Sequence, residues 1–127
     1  MSLEWNNAYK IGNVEIDAQH QEIFRLANNF LNATNKGSLS VCAMGFFKHT
    51  REHFKHEEDL MKSLNYPGLK EHLVQHSELI SLLNDVAKSI ADDSLEMTDL
   101  EAFLSAWLLG HIGTFDKSLA AYAKLQT

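Results

Sequence analysis

The sequence contains few of the residues that cross-link a chain or break its helices. Among its 127 residues there are one cysteine, one proline and six glycines. The single cysteine, Cys42, has no partner for an internal disulfide, and we interpret it as a small apolar packing residue. This cysteine usage favours a reducing compartment, so we expect a cytoplasmic protein. Because proline and glycine are the strongest helix breakers, their scarcity predicts a mostly helical chain.

Basic charge and long apolar runs are also scarce. Eleven Lys and Arg residues stand against 17 Asp and Glu residues, a formal charge of -6 with histidine neutral. No basic patch is interleaved with aromatic residues, so we expect no nucleic-acid partner. The longest apolar stretch, Ala102 to Phe115, contains Ser105 and His111, and it is too short and too polar to cross a bilayer. Residues 1–17 include several charges and no continuous apolar segment, so we expect neither a signal peptide nor a membrane partner.

Apolar residues recur at helical spacing in four segments of the chain. We predict helices over about Asp17–Asn35, Val41–Leu64, Leu69–Ile90 and Thr98–Tyr122. A polar turn is expected within Asn32–Ser40, and a second break is expected at Asn65–Gly68, where Pro67 cannot continue a helix. Thr98–Glu101 fits the capping-box pattern that opens a helix.

Four helices of comparable length with short connections predict an all-α fold, an up-down-up-down antiparallel four-helix bundle. The length suits one domain with a core of its own. We therefore expect a single domain over residues 1–127, in which residues 1–16 form an N-terminal arm that packs against the bundle.

Polar residues interrupt the apolar stripes at positions that should face the core. Five are histidines and two are acids: His20, His53, Glu57, His72, His76, His111 and Asp116. Polar groups buried without partners cost several kcal/mol, so apolar packing alone is a poor explanation for the set. Two metal ions held among four helices would satisfy all seven side chains.

Two pairs in this set have the spacing of chelating residues. Residues four apart share a helix face, so His53 with Glu57, and His72 with His76, can each direct two side chains at one site. Spacing alone also permits His49 with His53 as the pair on the second helix. The apolar stripe favours His53 and Glu57 at its centre, and it leaves His49 and His56 at the margin or in solvent.

The remaining candidates are weaker on spacing alone. His111 and Asp116 are five residues apart, about 140° around an α-helix, so a shared site requires the short Asp side chain to reach it from the flank. A lone inward histidine such as His20 is more typical of a hydrogen-bonded core residue.

The number and kind of these donors favour a pair of iron ions over zinc. His72-Leu73-Val74-Gln75-His76 lacks the glutamate of a zinc-protease motif, and one tetrahedral zinc takes only four ligands. Two octahedral ions bridged by both carboxylates use all seven groups, and imidazole with carboxylate suits iron among the first-row metals.

The sequence resembles the hemerythrin family, specifically the single-domain bacteriohemerythrins, almost from end to end. The resemblance is carried by Trp5, Ile16–His20, His53–Glu58, Tyr66-Pro67, His72-xxx-His76 and Trp107–His111-xxxx-Asp116. The spacing of the last motif, five residues from histidine to aspartate, is specific to this pattern.

The resemblance implies a cofactor of two iron ions with an oxo or hydroxo bridge. His72, His76 and His111 would hold one iron, and His20 and His53 would hold the other. Glu57 and Asp116 would bridge the two. An oxygen pocket lined by Ile23, Phe54, Trp107 and Ile112 is also implied.

By this resemblance the chain binds dioxygen reversibly, for oxygen storage, delivery or sensing, and has no catalytic residues. The alternative is a di-iron enzyme that acts on peroxide, nitric oxide or ferrous iron. The resemblance also implies an open position on the iron held by His20 and His53. The sequence shows no proton donor directed at that position, so we expect a carrier or sensor rather than an enzyme.

Overall fold

The computed structural model describes residues 3–125, which contain helices and no strand. The helices are α1 Val14–Leu31, α2 Lys36–Ser63, α3 Leu69–Ala91, α4 Met97–Gly110 and α5 Lys117–Leu125. A π-helix, His111–Asp116, joins α4 to α5 without a break, so these three pieces form one continuous rod. Together with α1, α2 and α3 it makes up the four rods of the bundle. α1 packs against α2 and α4, and α2 packs against α3. The predicted four-helix bundle is confirmed.

Asparagine caps start the first two helices earlier than predicted. Asn13 and Asn35 each accept a hydrogen bond from the backbone N–H three residues ahead, at 3.0 and 2.8 Å. Such a cap satisfies a donor that the first helical turn leaves free. α1 therefore begins at Val14, and residues 36–40 belong to α2 rather than to the predicted polar turn.

The starts of α3 and α4 test two further predictions from the sequence, a helix break and a capping box. The break at Asn65–Gly68 is confirmed, and Asn65 adopts a left-handed conformation there with φ of 50°. The capping box predicted at Thr98–Glu101 is wrong. α4 begins one residue before Thr98, and Glu96 precedes it without a side-chain capping hydrogen bond.

The arm is tied to α1 by polar and aromatic contacts. The buried carboxylate of Asp17 accepts hydrogen bonds from the backbone N–H of Ile11 and Gly12, at 2.7 and 3.2 Å. Gly12 has a φ of +93°, a conformation that favours glycine. Farther along α1, Phe24 packs edge-on against Trp5, with ring centroids 5.5 Å apart.

Two apolar clusters of unequal size occupy the bundle interior. The larger includes Phe30, Phe46, Leu83 and Leu104, and the smaller contains Ile11, Ile16 and Ala120, with Leu60 packed against it. The polar residues of the predicted site lie between the two clusters along the bundle. No helix within residues 3–125 combines the length and apolar character needed to cross a membrane.

Candidate metal centre

The seven predicted ligands all lie inside the bundle. None of them is more than 3% exposed. α1 contributes one, α2 two, α3 two, and the π-helix two: His20, His53, Glu57, His72, His76, His111 and Asp116. The fold therefore brings polar side chains from all four rods into one small volume.

The carboxylate of Glu57 is at the centre of this cluster. The Nε2 atoms of five histidines lie within 4 Å of it: His76 and His111 at 3.2 Å, His53 at 3.4 Å, His72 at 3.7 Å and His20 at 3.9 Å. Every imidazole thus presents the same ring nitrogen to the interior, which is the arrangement of a shared coordination site.

Asp116 forms a second centre beside Glu57. Its carboxylate lies 2.8 Å from Nε2 of His20, 3.3 Å from that of His72 and 3.2 Å from that of His111. These histidines come from three different rods, so Asp116 connects both sides of the cluster.

The π-helix explains why His111 and Asp116 converge although they are five residues apart. Its hydrogen bonds run from residue i to residue i+5, so residues five apart stack approximately above one another. The expectation of a flanking aspartate assumed α-helical geometry throughout the fourth helix. The widened turn instead places both side chains on one face. α-Helical spacing therefore underestimated how well this pair can share one site.

The donors divide into two overlapping groups that could each hold a metal ion. One contains His20, His53, Glu57 and Asp116, and the other contains Glu57, His72, His76 and His111. Within each group the ligand atoms lie within 4.8 Å of one another, and Glu57 belongs to both.

Several inward atoms have no hydrogen-bond partner. They include Nε2 of His72, Nε2 of His76 and one oxygen of Glu57. Leaving a buried polar atom unpaired is costly, whereas imidazole nitrogens and carboxylate oxygens are metal ligands. The donor set therefore fits a metal centre.

The electrostatics of the metal-free cluster are those of a compact ion network. Burial opposes ionisation of Glu57, but the charges of His53 and His111 outweigh it and hold the pKa of Glu57 well below its usual value. Burial also disfavours protonated His72, yet the nearby carboxylates of Asp116 and Glu57 raise its pKa to about 9. His72 therefore favours its protonated form beside the ionised carboxylate of Glu57.

The pKa values of two further histidines of the cluster shift in opposite directions. Burial, reinforced by neighbouring imidazoles, lowers the pKa of His53 well below its usual value. Burial also acts against protonation of His111, but the charges of Asp116 and Glu57 prevail and raise its pKa. His53 therefore favours the neutral imidazole more strongly than His111 does.

Three residues that the sequence did not single out fix the outer ring nitrogens. Nδ1 of His53 donates to Gln19 at 2.7 Å, Nδ1 of His76 donates to Glu58 at 3.0 Å, and Nδ1 of His111 donates to Gln75 at 2.5 Å. Such bonds set the tautomer and free Nε2 to bind a metal. Each acceptor is the chain neighbour of a predicted ligand on another rod, which is the signal that could have identified it.

The two remaining histidines lie outside both groups. His49 is half-buried, and its Nε2 lies 3.1 Å from the backbone oxygen of Gln19. His56 is exposed and pairs with Glu15 at 2.9 Å. This arrangement agrees with the prediction that His53, rather than His49, faces the interior.

The predicted pocket residues Ile23, Phe54, Trp107 and Ile112 are buried in the larger apolar cluster. The ring of Phe54 stacks on that of His76 with centroids 3.7 Å apart, and it meets Trp107 edge-on at 6.3 Å. An apolar layer therefore lies directly against the donor cluster.

Solved structures with the same architecture include a crystal structure of wild-type hemerythrin. It superposes with a TM-score of 0.85 at 24% identity, over 94% of this chain and 95% of that one. This likeness shows the fold.

Related sequences and a family model cover most of the chain. The myohemerythrin of Riftia pachyptila is 28% identical over 112 residues, 88% of this chain and 86% of the relative. The bacteriohemerythrin of Ralstonia nicotianae is 25% identical over 121 residues, 94% of this chain and 88% of the relative. The family model described as the hemerythrin HHE cation binding domain matches residues 12–123. The chain therefore belongs to the hemerythrin family.

Proposed function

We propose that this chain binds dioxygen reversibly at a non-haem di-iron centre and serves in oxygen storage, delivery or sensing. The observation that carries the proposal is the pair of overlapping donor groups, which share Glu57 and are completely buried. Family membership adds support, because the resemblance implies this ligand and this metal.

In this proposal the two iron ions have unequal protein ligands. His72, His76 and His111 would hold one ion, whereas only His20 and His53 would supply imidazoles to the other. Glu57 and Asp116 would be shared between the two ions. Proximity of both carboxylates to imidazoles of the two groups supports this assignment. The ion with fewer histidine ligands would be the one with an open position for a small ligand.

The bound iron pair would supply the electrons that dioxygen accepts on binding. The chain itself supplies a dry environment, since the buried side chains of Ile23, Phe54 and Ile112 exclude water from that side of the cluster. Exclusion of water suppresses proton leakage and competing reactions. Binding without further chemistry requires this protection.

The donor composition favours a carrier over a di-iron enzyme. Ferritin-like di-iron proteins use four Glu and two His ligands, whereas this cluster contains five imidazoles and two carboxylates. Fewer anionic ligands stabilise high iron oxidation states less, so we infer a milder reactivity toward dioxygen.

The direct test is to load the protein with ferrous iron anaerobically and record its absorption spectrum with and without dioxygen. We expect a coloured oxygenated form that reverts to the starting spectrum under vacuum over repeated cycles. Irreversible oxidation in the first cycle, or sustained turnover of peroxide or nitric oxide, would contradict the proposed carrier function.

Removing the carboxylate that both donor groups share should strongly reduce iron retention. Since Glu57 belongs to both donor groups, we expect Glu57→Ala to retain fewer than two iron ions per chain after gel filtration. Glu52→Ala, which removes an exposed carboxylate from the same helix, is the matched control and should retain both. Two tightly held iron ions in Glu57→Ala would show that this residue is not a bridge.

Metal binding should release protons in neutral and weakly alkaline solution. His72 has a pKa of about 9 in the metal-free protein, so below that pH it is protonated and must lose its proton to become a ligand. The apparent affinity for cobalt(II) should therefore increase between pH 7 and pH 9, by about tenfold per pH unit for each proton displaced. An affinity that levels off by about pH 7.5, as for histidines with ordinary pKa values, would contradict this prediction.

A further inference from the structure

Thr50 is a fully buried polar residue that the donor cluster does not use. Its exposure is 0%, and its hydroxyl has no hydrogen-bond partner. A helical threonine commonly donates to the backbone carbonyl four residues earlier, but the Thr50 hydroxyl makes no such bond. Leaving a buried hydroxyl unpaired destabilises the fold, so this position is unfavourable for stability alone.

Register places Thr50 one turn from the predicted ligand His53, on the same face of α2. Ile23 lies one turn beyond His20 on α1, which runs antiparallel to α2. Thr50 and Ile23 are therefore on the same side of the His20–His53 pair. This is the side of the predicted pocket, where Ile23 is 2% exposed.

The neighbours of Thr50 on the same face of α2 pack against Trp107. Phe46 and Phe54 lie one turn to either side of it on α2, and both rings pack against Trp107, with centroids 5.1 and 6.3 Å apart. Since Thr50 lies between these two residues at helical spacing, the register of α2 places it on the face that packs against Trp107. The indole Nε1 of Trp107 is also buried without a hydrogen-bond partner.

We propose that the Thr50 hydroxyl donates a hydrogen bond to the small ligand, dioxygen or a short anion such as azide, that occupies the open position of the His20–His53 group. This inference rests on the proposed function and adds a ligand contact to it. Ile23, Phe54 and Ile112 offer no polar side-chain atom, and Trp107 offers only its indole N–H, so Thr50 is one of two unpaired donors beside the pocket that could recognise a ligand that gains negative charge. An aliphatic hydroxyl donates a hydrogen bond while keeping its proton, which suits retention of a ligand rather than its chemical conversion.

The test compares Thr50→Val, which keeps the shape and removes the hydroxyl, with Thr50→Ser, which keeps the hydroxyl. Each iron-loaded variant is titrated with azide by absorption, and dioxygen release is timed by stopped flow. We expect Thr50→Val to weaken azide binding and to speed dioxygen release by about tenfold each, the effect of losing one hydrogen bond to a charged group. Thr50→Ser should remain within about twofold of the unaltered protein, because it retains the donor.

Two further measurements separate a ligand contact from a structural role. Thr50→Val should raise the melting temperature of the metal-free protein by roughly 3 °C, because a methyl group replaces an unpaired buried hydroxyl. Iron content should not change, since Thr50 is not a ligand. Thr34→Val, at an exposed threonine in the turn after α1, is the matched control and should change neither ligand affinity nor release rate.

Equal azide affinity and release rate in Thr50→Val and the unaltered protein would overturn the inference, as would a lower melting temperature of the metal-free variant. If the unaltered protein binds dioxygen reversibly and Thr50→Val behaves identically, only the role of Thr50 fails. If dioxygen is consumed irreversibly while azide affinity still depends on the hydroxyl, the proposed carrier function fails and the contact stands.

Discussion

Glu57 lies within 4 Å of Nε2 atoms from five histidines, in the middle of an otherwise apolar bundle. Burying so many polar groups is expensive unless each finds a partner. Within the cluster, burial lowers the pKa of His53, whereas the carboxylates of Asp116 and Glu57 raise the pKa of His72 although burial opposes it. A pair of cations would satisfy the same atoms together, so the cluster links the stability of the interior to its function.

This constraint explains features of the backbone that apolar packing does not require. The π-helix widens the fourth rod at the position where His111 and Asp116 must reach one site. The hydrogen bonds that Gln19, Glu58 and Gln75 accept from the outer nitrogens of the imidazoles each connect one rod to the next. The imidazoles are consequently oriented by side chains from neighbouring rods, and a shift of one helix would disturb the ligands on another. We infer that the apolar clusters on either side hold this register.

Much of the fold could be predicted because the chain has few helix breakers and clear apolar periodicity. The pairs His53 with Glu57 and His72 with His76 followed from α-helical spacing. The starts of α1 and α2 were predicted too late, because the capping role of Asn13 and Asn35 was not recognised.

The missed features depend on tertiary structure or on local departures from the α-helix. Spacing gave weak support to Asp116 as a partner of His111 because periodicity assumes a uniform α-helix. The π-helix that brings the two together is visible only in the backbone. Gln19 and Gln75 are adjacent to predicted ligands, which marks them as candidates, but which histidine each one orients depends on the register of the bundle. Thr50 fitted the apolar stripe of α2, and its unpaired hydroxyl became evident once its neighbours were in place.

The central claim is that the buried cluster holds two metal ions that share Glu57. Anomalous diffraction at the iron absorption edge, from crystals of the iron-loaded protein, tests it most directly. The account predicts two peaks inside the bundle, one nearer His20 and His53 and the other nearer His72, His76 and His111, with Glu57 between them. A single peak, or iron bound outside the seven side chains, would contradict it.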